Sequence, residues 1–170
     1  MSEGGNLLPK QYKIQIVEDE EDVADILQKL ITSIGHVVVN SSPSGKDAIY
    51  YAGEMHPDLV LMDIALSGET DGIETAKELK SLHNLPVVFV TGSYDNKTIE
   101  RAKQADPMGY LIKPIDVREL KITIEFAIFK HRLQIEKENL ITDLTDAVSN
   151  VLKNYAQSDN LTINPHEWFR

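Results

Sequence analysis

Short apolar runs alternate with longer amphipathic stretches along the chain from Lys13 onward. The runs are rich in β-branched residues and read KIQIV, HVVVN, DLVLM, PVVFV and GYLI. Continuous apolar runs of this length are typical of strands buried on both faces, and the stretches between them are long enough for crossover helices. The pattern therefore predicts an α/β fold in which helices cover both sides of a parallel sheet of five strands.

The first predicted helix has the clearest amphipathic pattern, and Gly35 follows it where a glycine commonly ends a helix. Its apolar residues recur every three or four positions and so form one stripe. These residues are Val23, Ile26, Leu27, Leu30, Ile31 and Ile34. The fourth predicted helix, about residues 96–105, has a small apolar face, so we expect it to be weakly anchored. That face consists of Ile99, Ala102 and Ala105.

The fifth predicted helix continues beyond the length that a compact domain needs. It begins near Asp116, and the segment KHRLQIEKENLITDLTDAVSNVLKNY contains no Gly or Pro that would end it. Some of its apolar residues fit a partial heptad pattern, although two lysines occupy apolar positions of that pattern. We therefore interpret residues 133–156 as an amphipathic helical extension or linker, residues 1–11 as a flexible N-terminus and residues 157–170 as a tail.

The composition narrows the range of partners. A chain of 170 residues is long enough for one well-buried domain with an appendage, but too short for two ordinary domains. The net charge of −10 argues against a broad binding surface for nucleic acid or anionic lipid. No apolar run approaches the roughly 20 residues of a membrane span. We expect a cytoplasmic protein with no nucleic-acid or membrane partner, and the lack of cysteine excludes thiolate chemistry.

Five consecutive acidic residues follow the first apolar run, in the segment IVEDEED. Like charges this close repel one another unless something offsets them. One explanation is that a helix begins here, because the positive N-terminal end of a helix dipole stabilises acidic side chains. The other explanation is that some of the five bind a cation. The local sequence is compatible with both.

Polar residues stand directly after four of the five predicted strands. In an open parallel sheet, ligands gather beyond the carboxyl ends of the strands, so we expect these residues to lie close together. Carboxylate oxygens are ligands for Mg²⁺, and hydroxyl and ammonium groups can donate to phosphoryl oxygens. The pattern predicts a hard-cation site beside a phosphoryl group. The candidate residues are Glu18, Asp19, Asp63, Thr91, Gly92, Lys113 and Pro114.

Several of these residues also have simpler explanations. Asp63 alone would more often cap a helix or a turn, and Thr91 could cap the loop before the fourth helix. Lys113 is harder to explain in that way, because a lysine after a buried strand needs an anionic partner. Tyr110 is most simply a core aromatic residue whose hydroxyl reaches the surface. The five histidines show no ligand spacing, and we expect them on loops or helix faces.

The order of these segments resembles the receiver domain of two-component response regulators. KIQIVEDEED, PDLVLMDIALSGETDGIE, PVVFVTG and GYLIKPID occur in this order and at ordinary spacing, and the resemblance covers residues 12–132. It implies a flavodoxin-like (βα)5 fold of three layers, with a parallel sheet in the strand order 2-1-3-4-5. The extended C-terminal helix would follow this domain.

The resemblance implies that Asp63 is phosphorylated. Glu18, Asp19 and Asp63, together with the backbone carbonyl of Ala65, would bind Mg²⁺ or Mn²⁺. The chain departs from the family in two places. The acidic pair is Glu-Asp where Asp-Asp is commoner, so Glu18 would act through a metal-bound water. The loop ALSGETDG lacks the proline that usually follows the acceptor.

The resemblance also implies a phosphoryl-binding switch. Thr91, Gly92 and Lys113 would meet the phosphoryl group, and Tyr110 would be the switch aromatic residue. The peptide bond between Lys113 and Pro114 is commonly cis in this family. The domain would act as a phosphoacceptor in signalling rather than as an enzyme, and it would signal through the face formed by the fourth helix, the fifth strand and the fifth helix.

The implied partner is a sensor histidine kinase or a phosphotransfer protein, and a homodimer could form through that face or through the C-terminal helix. Two alternatives from other classes are a Mg²⁺-dependent phosphatase of the haloacid dehalogenase type and a histidine phosphotransfer element around His131. The chain could also be a receiver fragment of a longer multidomain sensory protein. The phosphatase family places two aspartates after its first strand, whereas this chain has its best nucleophile after the third.

Overall fold

Five parallel strands form one sheet in the computed structural model, which describes residues 10–68, 70–92 and 95–158, with the backbone alone for residues 156–158. The strands are β1 (Lys13–Val17), β2 (Val37–Ser42), β3 (Leu59–Asp63), β4 (Val87–Thr91) and β5 (Gly109–Ile112). Their order across the sheet is β2-β1-β3-β4-β5. The predicted fold class and strand order are therefore confirmed.

Five helices alternate with the strands. They are α1 (Glu21–Ser33), α2 (Gly45–Met55), α3 (Gly72–His83), α4 (Asn96–Lys103) and α5 (Val117–Ser158). Side chains that accept hydrogen bonds from the first turn fix where three of them begin: Ser44 caps α2, Asp71 caps α3 and Asp95 caps α4. The last helix continues through the first two residues of the predicted tail. The rest of that tail and residues 1–9 of the predicted flexible N-terminus lie outside the described residues.

The core consists of two apolar clusters, one on each side of the sheet. Successive side chains of a strand point to opposite faces, and β3 shows this alternation clearly. Leu59 and Leu61 belong to the cluster that packs with α1 and α5, whereas Val60 and Met62 belong to the cluster that packs with α2, α3 and α4. Burial of β3 on both faces explains why its sequence is an unbroken apolar run.

The predicted apolar faces of the helices are buried only in part. In α1, Leu27 and Ile31 are buried, but Ile26 is 55% exposed, because the predicted stripe is wider than the surface that contacts the sheet. In α4, Ala102 is the single buried residue, and Arg101 donates a hydrogen bond to Asp71 at the start of α3. The weak anchoring expected for α4 agrees with this arrangement.

His36 lies on the loop between α1 and β2, in agreement with the expectation that the histidines lie on loops or helix faces. It precedes β2 and is buried, and its Nδ1 accepts a hydrogen bond from the backbone N–H of Tyr12. Burial lowers the pKa of its imidazole below the ordinary value, so the ring is held neutral near pH 7. We interpret His36 as part of the packing at the amino ends of the strands.

The chain divides between His131 and Arg132 into two compact units. The first unit contains the sheet, and its part of α5 buries Leu120, Ile124, Ala127 and Ile128. In the second unit, none of the side chains described over residues 132–155 is buried. Among the described residues, no helix has both the length and the apolar character that a membrane crossing requires.

Candidate functional site

Three carboxylates meet at the carboxyl edge of the sheet. Glu18 and Asp19 follow β1 directly, and Asp63 is the last residue of β3, which pairs with β1 so that Val17 lies beside Met62. Each of the three side chains offers an oxygen, and these oxygens all lie within 4.8 Å of one another. Glu18 is only 3% exposed and Asp63 only 5%. Three acidic groups this close, two of them buried, require positive charge nearby.

Lys113 supplies part of that charge. It follows β5, and its Nζ donates to Glu18 Oε2 at 2.8 Å and to Asp63 Oδ2 at 3.1 Å. Burial alone would lower the pKa of the Lys113 ammonium group, but the hydrogen bond to Glu18 and the charge of Asp63 raise it above its ordinary value. Burial also raises the pKa of the Glu18 carboxyl, and the bond from Lys113 opposes that shift. The ammonium group therefore stays protonated and bridges two strand ends.

Asp19 is held by a residue that the sequence patterns did not single out. The backbone N–H of Ser67 donates to Asp19 Oδ2 at 3.1 Å, and the Ser67 hydroxyl donates to the same oxygen. The hydroxyl bond lowers the pKa of the Asp19 carboxyl below its ordinary value. Ser67 lies in the loop ALSGETDG, which lacks a proline, and proline could donate neither bond. The missing proline was therefore the one feature of the sequence that could have indicated the contact between this loop and Asp19.

The loop after β3 is fixed to Asp63 through its backbone. Asp63 Oδ1 accepts a hydrogen bond of 3.1 Å from the N–H of Ala65, and Gly72 N–H donates to the carbonyl of Ile64 at 3.2 Å. Gly72 approaches Asp63 so closely that a Cβ atom added to it would lie 1.9 Å from the Asp63 carbonyl oxygen. No other residue type fits at this position unless the backbone that carries Asp63 moves.

We therefore expect Gly72→Ala to destabilise the protein by more than about 2 kcal/mol, because its contact is with rigid backbone. Gly53→Ala provides a matched control inside α2, where the nearest atom to an added Cβ is His83 Cε1 at 3.4 Å. That change should stabilise the protein by roughly 0.5–1 kcal/mol, because alanine favours a helix over glycine. Urea unfolding of both variants measures the two effects, and a Gly72 variant as stable as the wild type would contradict the close contact.

The remaining candidate residues lie at the ends of β4 and β5. Thr91 is buried at the end of β4, and the exposed Gly92 follows it. The Lys113–Pro114 bond is cis, as the resemblance implied. The ring of Tyr110 packs 5.9 Å from the Phe89 ring, and its hydroxyl is buried with no hydrogen-bond partner among the described residues. The simpler expectation that this hydroxyl reaches the surface was therefore wrong, because Tyr110 packs inward beside Phe89.

The acidic stretch divides into two parts. Glu18 and Asp19 belong to the cluster with Asp63, whereas the last three acids are exposed and open α1. Glu20 is the N-cap residue of α1, and Glu21 and Asp22 lie in its first turn, where the helix dipole stabilises acidic groups. The helix explanation therefore applies to the last three acids, and the cation explanation is left for Glu18 and Asp19 alone.

The donor set fits a hard divalent cation. All three acidic side chains offer carboxylate oxygens, which Mg²⁺ prefers, and a pocket of about 390 Å³ borders Glu18 and Asp19. Lys113 leaves part of the negative charge uncompensated, since one ammonium group faces three carboxylates. The fold and the site together define a class of protein: a flavodoxin-like domain with a cluster of three carboxylates and a lysine at the carboxyl edge of its sheet.

Comparison with known proteins identifies the family. Residues 14–125 match the family described as the response regulator receiver domain, and the chain belongs to this family. A solved structure of the signal receiver domain of a modulated diguanylate cyclase from Desulfovibrio desulfuricans G20 is 39% identical, with a TM-score of 0.71. The alignment covers 74% of this chain and 99% of that one.

Two curated relatives are named as transcriptional regulatory proteins. PdtaR of Mycobacterium tuberculosis is 31% identical over 134 residues, which cover 79% of this chain and 65% of PdtaR. ZraR of Escherichia coli K12 is 36% identical over 126 residues, which cover 74% of this chain and 28% of ZraR. The match therefore spans less than two thirds of the length of either relative.

Proposed function

We propose that this receiver domain accepts a phosphoryl group on Asp63, in a Mg²⁺-dependent reaction, from a sensor histidine kinase or a phosphotransfer protein. The observation that supports this proposal most strongly is the position of Lys113 Nζ, which donates to both Asp63 and Glu18. A lysine beside a carboxylate nucleophile can donate to the incoming phosphoryl oxygens as negative charge accumulates there. Signalling would take place in the cytoplasm and through protein contact.

The residues of the site would have two roles, which are metal binding and nucleophilic attack. Glu18, Asp19 and Asp63, with the carbonyl of Ala65, would hold Mg²⁺ or Mn²⁺. The bound metal supplies positive charge that offsets the carboxylates and the phosphoryl oxygens. A carboxylate oxygen of Asp63 attacks the phosphorus in line, a P–O bond forms, and the P–N bond to the donor histidine breaks with its electron pair staying on nitrogen. The N–H of Ala65 and Lys113 hold the Asp63 carboxylate in place for this attack.

The signal would pass to the face formed by α4, β5 and α5. Thr91 lies at the end of β4 and would move toward the phosphoryl oxygens, since its hydroxyl can donate to them. The side chain of Tyr110 on β5 would then change its position, because the movement of Thr91 leaves space beside it. Its buried hydroxyl lacks a partner among the described residues, which is an unfavourable state that another position could relieve. A homodimer could form through this face or through the C-terminal helix.

The experiment that tests the proposal incubates the protein with acetyl phosphate, in Mg²⁺ and in EDTA, and measures the intact mass. We expect the mass of one phosphoryl group to be added in Mg²⁺ alone. A haloacid dehalogenase type of phosphatase would instead hydrolyse small phosphate esters with many turnovers, so p-nitrophenyl phosphate is included as a second substrate. Sustained release of nitrophenol without a stable mass increase would contradict the receiver function.

We also propose that Ser67 is a positioning residue, because its two bonds to Asp19 Oδ2 hold that carboxylate within reach of the other two. Ser67→Ala removes the hydroxyl and keeps the N–H, and we expect the Mg²⁺ dissociation constant to rise by about tenfold. Ser67→Thr keeps a hydroxyl and should bind Mg²⁺ nearly as the wild type does. Calorimetric titration of the unphosphorylated protein measures both values. If the alanine variant binds Mg²⁺ at least as tightly as the wild type, Ser67 has no positioning role.

A further inference from the structure

The second unit of the chain carries an exposed apolar stripe with a regular period. Positions 133, 137, 140, 144, 148 and 151 of α5 are separated by four, three, four, four and three residues. All but one of these six positions carry an apolar side chain. The apolar members, which we call the C-terminal stripe, are each between 48% and 59% exposed. They are Leu133, Leu140, Leu144, Val148 and Val151. The exception is Lys137.

The stripe stays on one side of the helix. Leu133 and Val151 are eighteen residues apart, which is five full turns at 3.6 residues per turn. Steps of four, four and three add up to eleven residues, and an apolar repeat of that length keeps a stripe facing a partner helix in a right-handed supercoil. An amphipathic helix normally buries its apolar side, yet no side chain described over residues 132–155 is buried. The stripe therefore has the properties of a helix–helix interface.

We propose that the C-terminal stripe packs against the same stripe of a second copy of this chain, in parallel and in register. A partner helix must present apolar residues with the same period over the same length, and an identical helix meets this condition automatically. The segment from residue 139 to residue 155 contains only three charged residues, so two copies repel each other little there. These are Asp143, Asp146 and Lys153.

The one polar position of the stripe favours the parallel arrangement. Lys137 is preceded by Glu136, which lies beside the stripe. In a parallel pair in register, the two Lys137 side chains lie at the same level, and each can form an ion pair with Glu136 of the other copy. In an antiparallel pair centred on the stripe, Lys137 would lie level with Ala147, in the apolar part of the helix. A single lysine at a core position is known to select register in such pairs.

This inference goes beyond the proposed phosphoryl transfer, and its test uses the full chain without phosphorylation. Sedimentation equilibrium should give twice the chain mass for the wild type. Leu144→Glu puts a charge in the middle of the stripe and should raise the dimer dissociation constant at least about 100-fold. Thr142→Glu is the matched control, because Thr142 is exposed on the opposite side of the same helix. A monomeric wild type, or equal weakening by both variants, would overturn the proposal.

The orientation is tested with single cysteines, which is straightforward because the chain contains none of its own. Leu133→Cys and Val151→Cys place a thiol near either end of the stripe. In a parallel pair, each variant alone should form a disulfide-linked dimer under mild oxidation, and a mixture should give no disulfide between the two variants. Disulfides in the mixture alone would show an antiparallel pair and refute the proposed arrangement. Circular dichroism of each variant verifies that the helix is retained.

Discussion

Asp63→Ala should receive no phosphoryl group from acetyl phosphate under conditions in which the wild type is labelled. Asp63 is the acidic residue that contacts both the Lys113 ammonium group and the backbone N–H of Ala65, and for this reason we propose it as the carboxylate that attacks the phosphorus. Removing it eliminates the nucleophile, and no neighbouring group has the same two contacts. The expected effect is therefore complete loss of the mass increase, measured on the intact protein in Mg²⁺.

The control for this experiment is Asp58→Ala, at the opposite end of β3 from Asp63. Asp58 precedes β3, and its carboxylate accepts a hydrogen bond of 2.8 Å from the backbone N–H of Lys13. Asp58→Ala removes an exposed aspartate from the same chain without touching the carboxyl edge, so labelling should match the wild type. Asp63→Ala leaves two acidic side chains in the cluster, and unfolding curves verify that the variant is folded. Labelling of Asp63→Ala at the wild-type level would falsify the assignment of the acceptor.

Lys113→Met should destabilise the protein strongly in the absence of metal. The change leaves Glu18 and Asp63 buried beside each other without their shared cation, and breaking a buried pair in this way costs about 3–5 kcal/mol. The side chain of Lys113 is 22% exposed, so we expect about 3 kcal/mol, the lower end of that range. Mg²⁺ should restore part of this loss, because a cation then offsets the same carboxylates. Urea unfolding in EDTA and in Mg²⁺ gives both quantities.

Two further measurements distinguish the loss of Lys113 from the loss of any other lysine. Lys77→Met removes an exposed lysine that pairs with Glu74 at 2.8 Å, and it should change stability by less than about 1 kcal/mol. Labelling of Lys113→Met by acetyl phosphate should also slow by about 100-fold or more, because a donor to the phosphoryl oxygens is lost. If the two methionine variants unfold alike in EDTA, the ion pairs of Lys113 contribute nothing to the fold.

The two central strands β3 and β4 could be predicted because burial on both faces leaves an unbroken apolar run in the sequence. β3 and β4 are buried at every position, and each was recognised from its sequence alone. The order of the strands could not follow from these runs, because any arrangement of parallel strands has the same local pattern. It came from the resemblance to a family. The exposure of Ile26 shows a related limit, since periodicity identifies a face but not the width of its contact.

The site was predicted in outline for a similar reason. Glu18 and Lys113 each follow a strand and Asp63 ends one, and the geometry of a parallel sheet brings such positions together. The contribution of Ser67 depends on the path of a loop, which local sequence determines poorly. The need for glycine at position 72 depends on its distance from the Asp63 carbonyl, which is a long-range contact. Neither contact is encoded in the residues adjacent to it along the chain.

The weak anchoring of α4 has a consequence for how a partner could recognise this domain. Ala102 is the single buried side chain of the helix, and the Arg101–Asp71 ion pair lies in solvent. Detaching α4 therefore exposes little apolar surface, and its free energy is a small part of that for unfolding the sheet. We therefore expect molecules with a displaced α4 to form a small fraction of the ensemble. A partner that prefers them acts by conformational selection, and it needs to supply only that small difference in free energy.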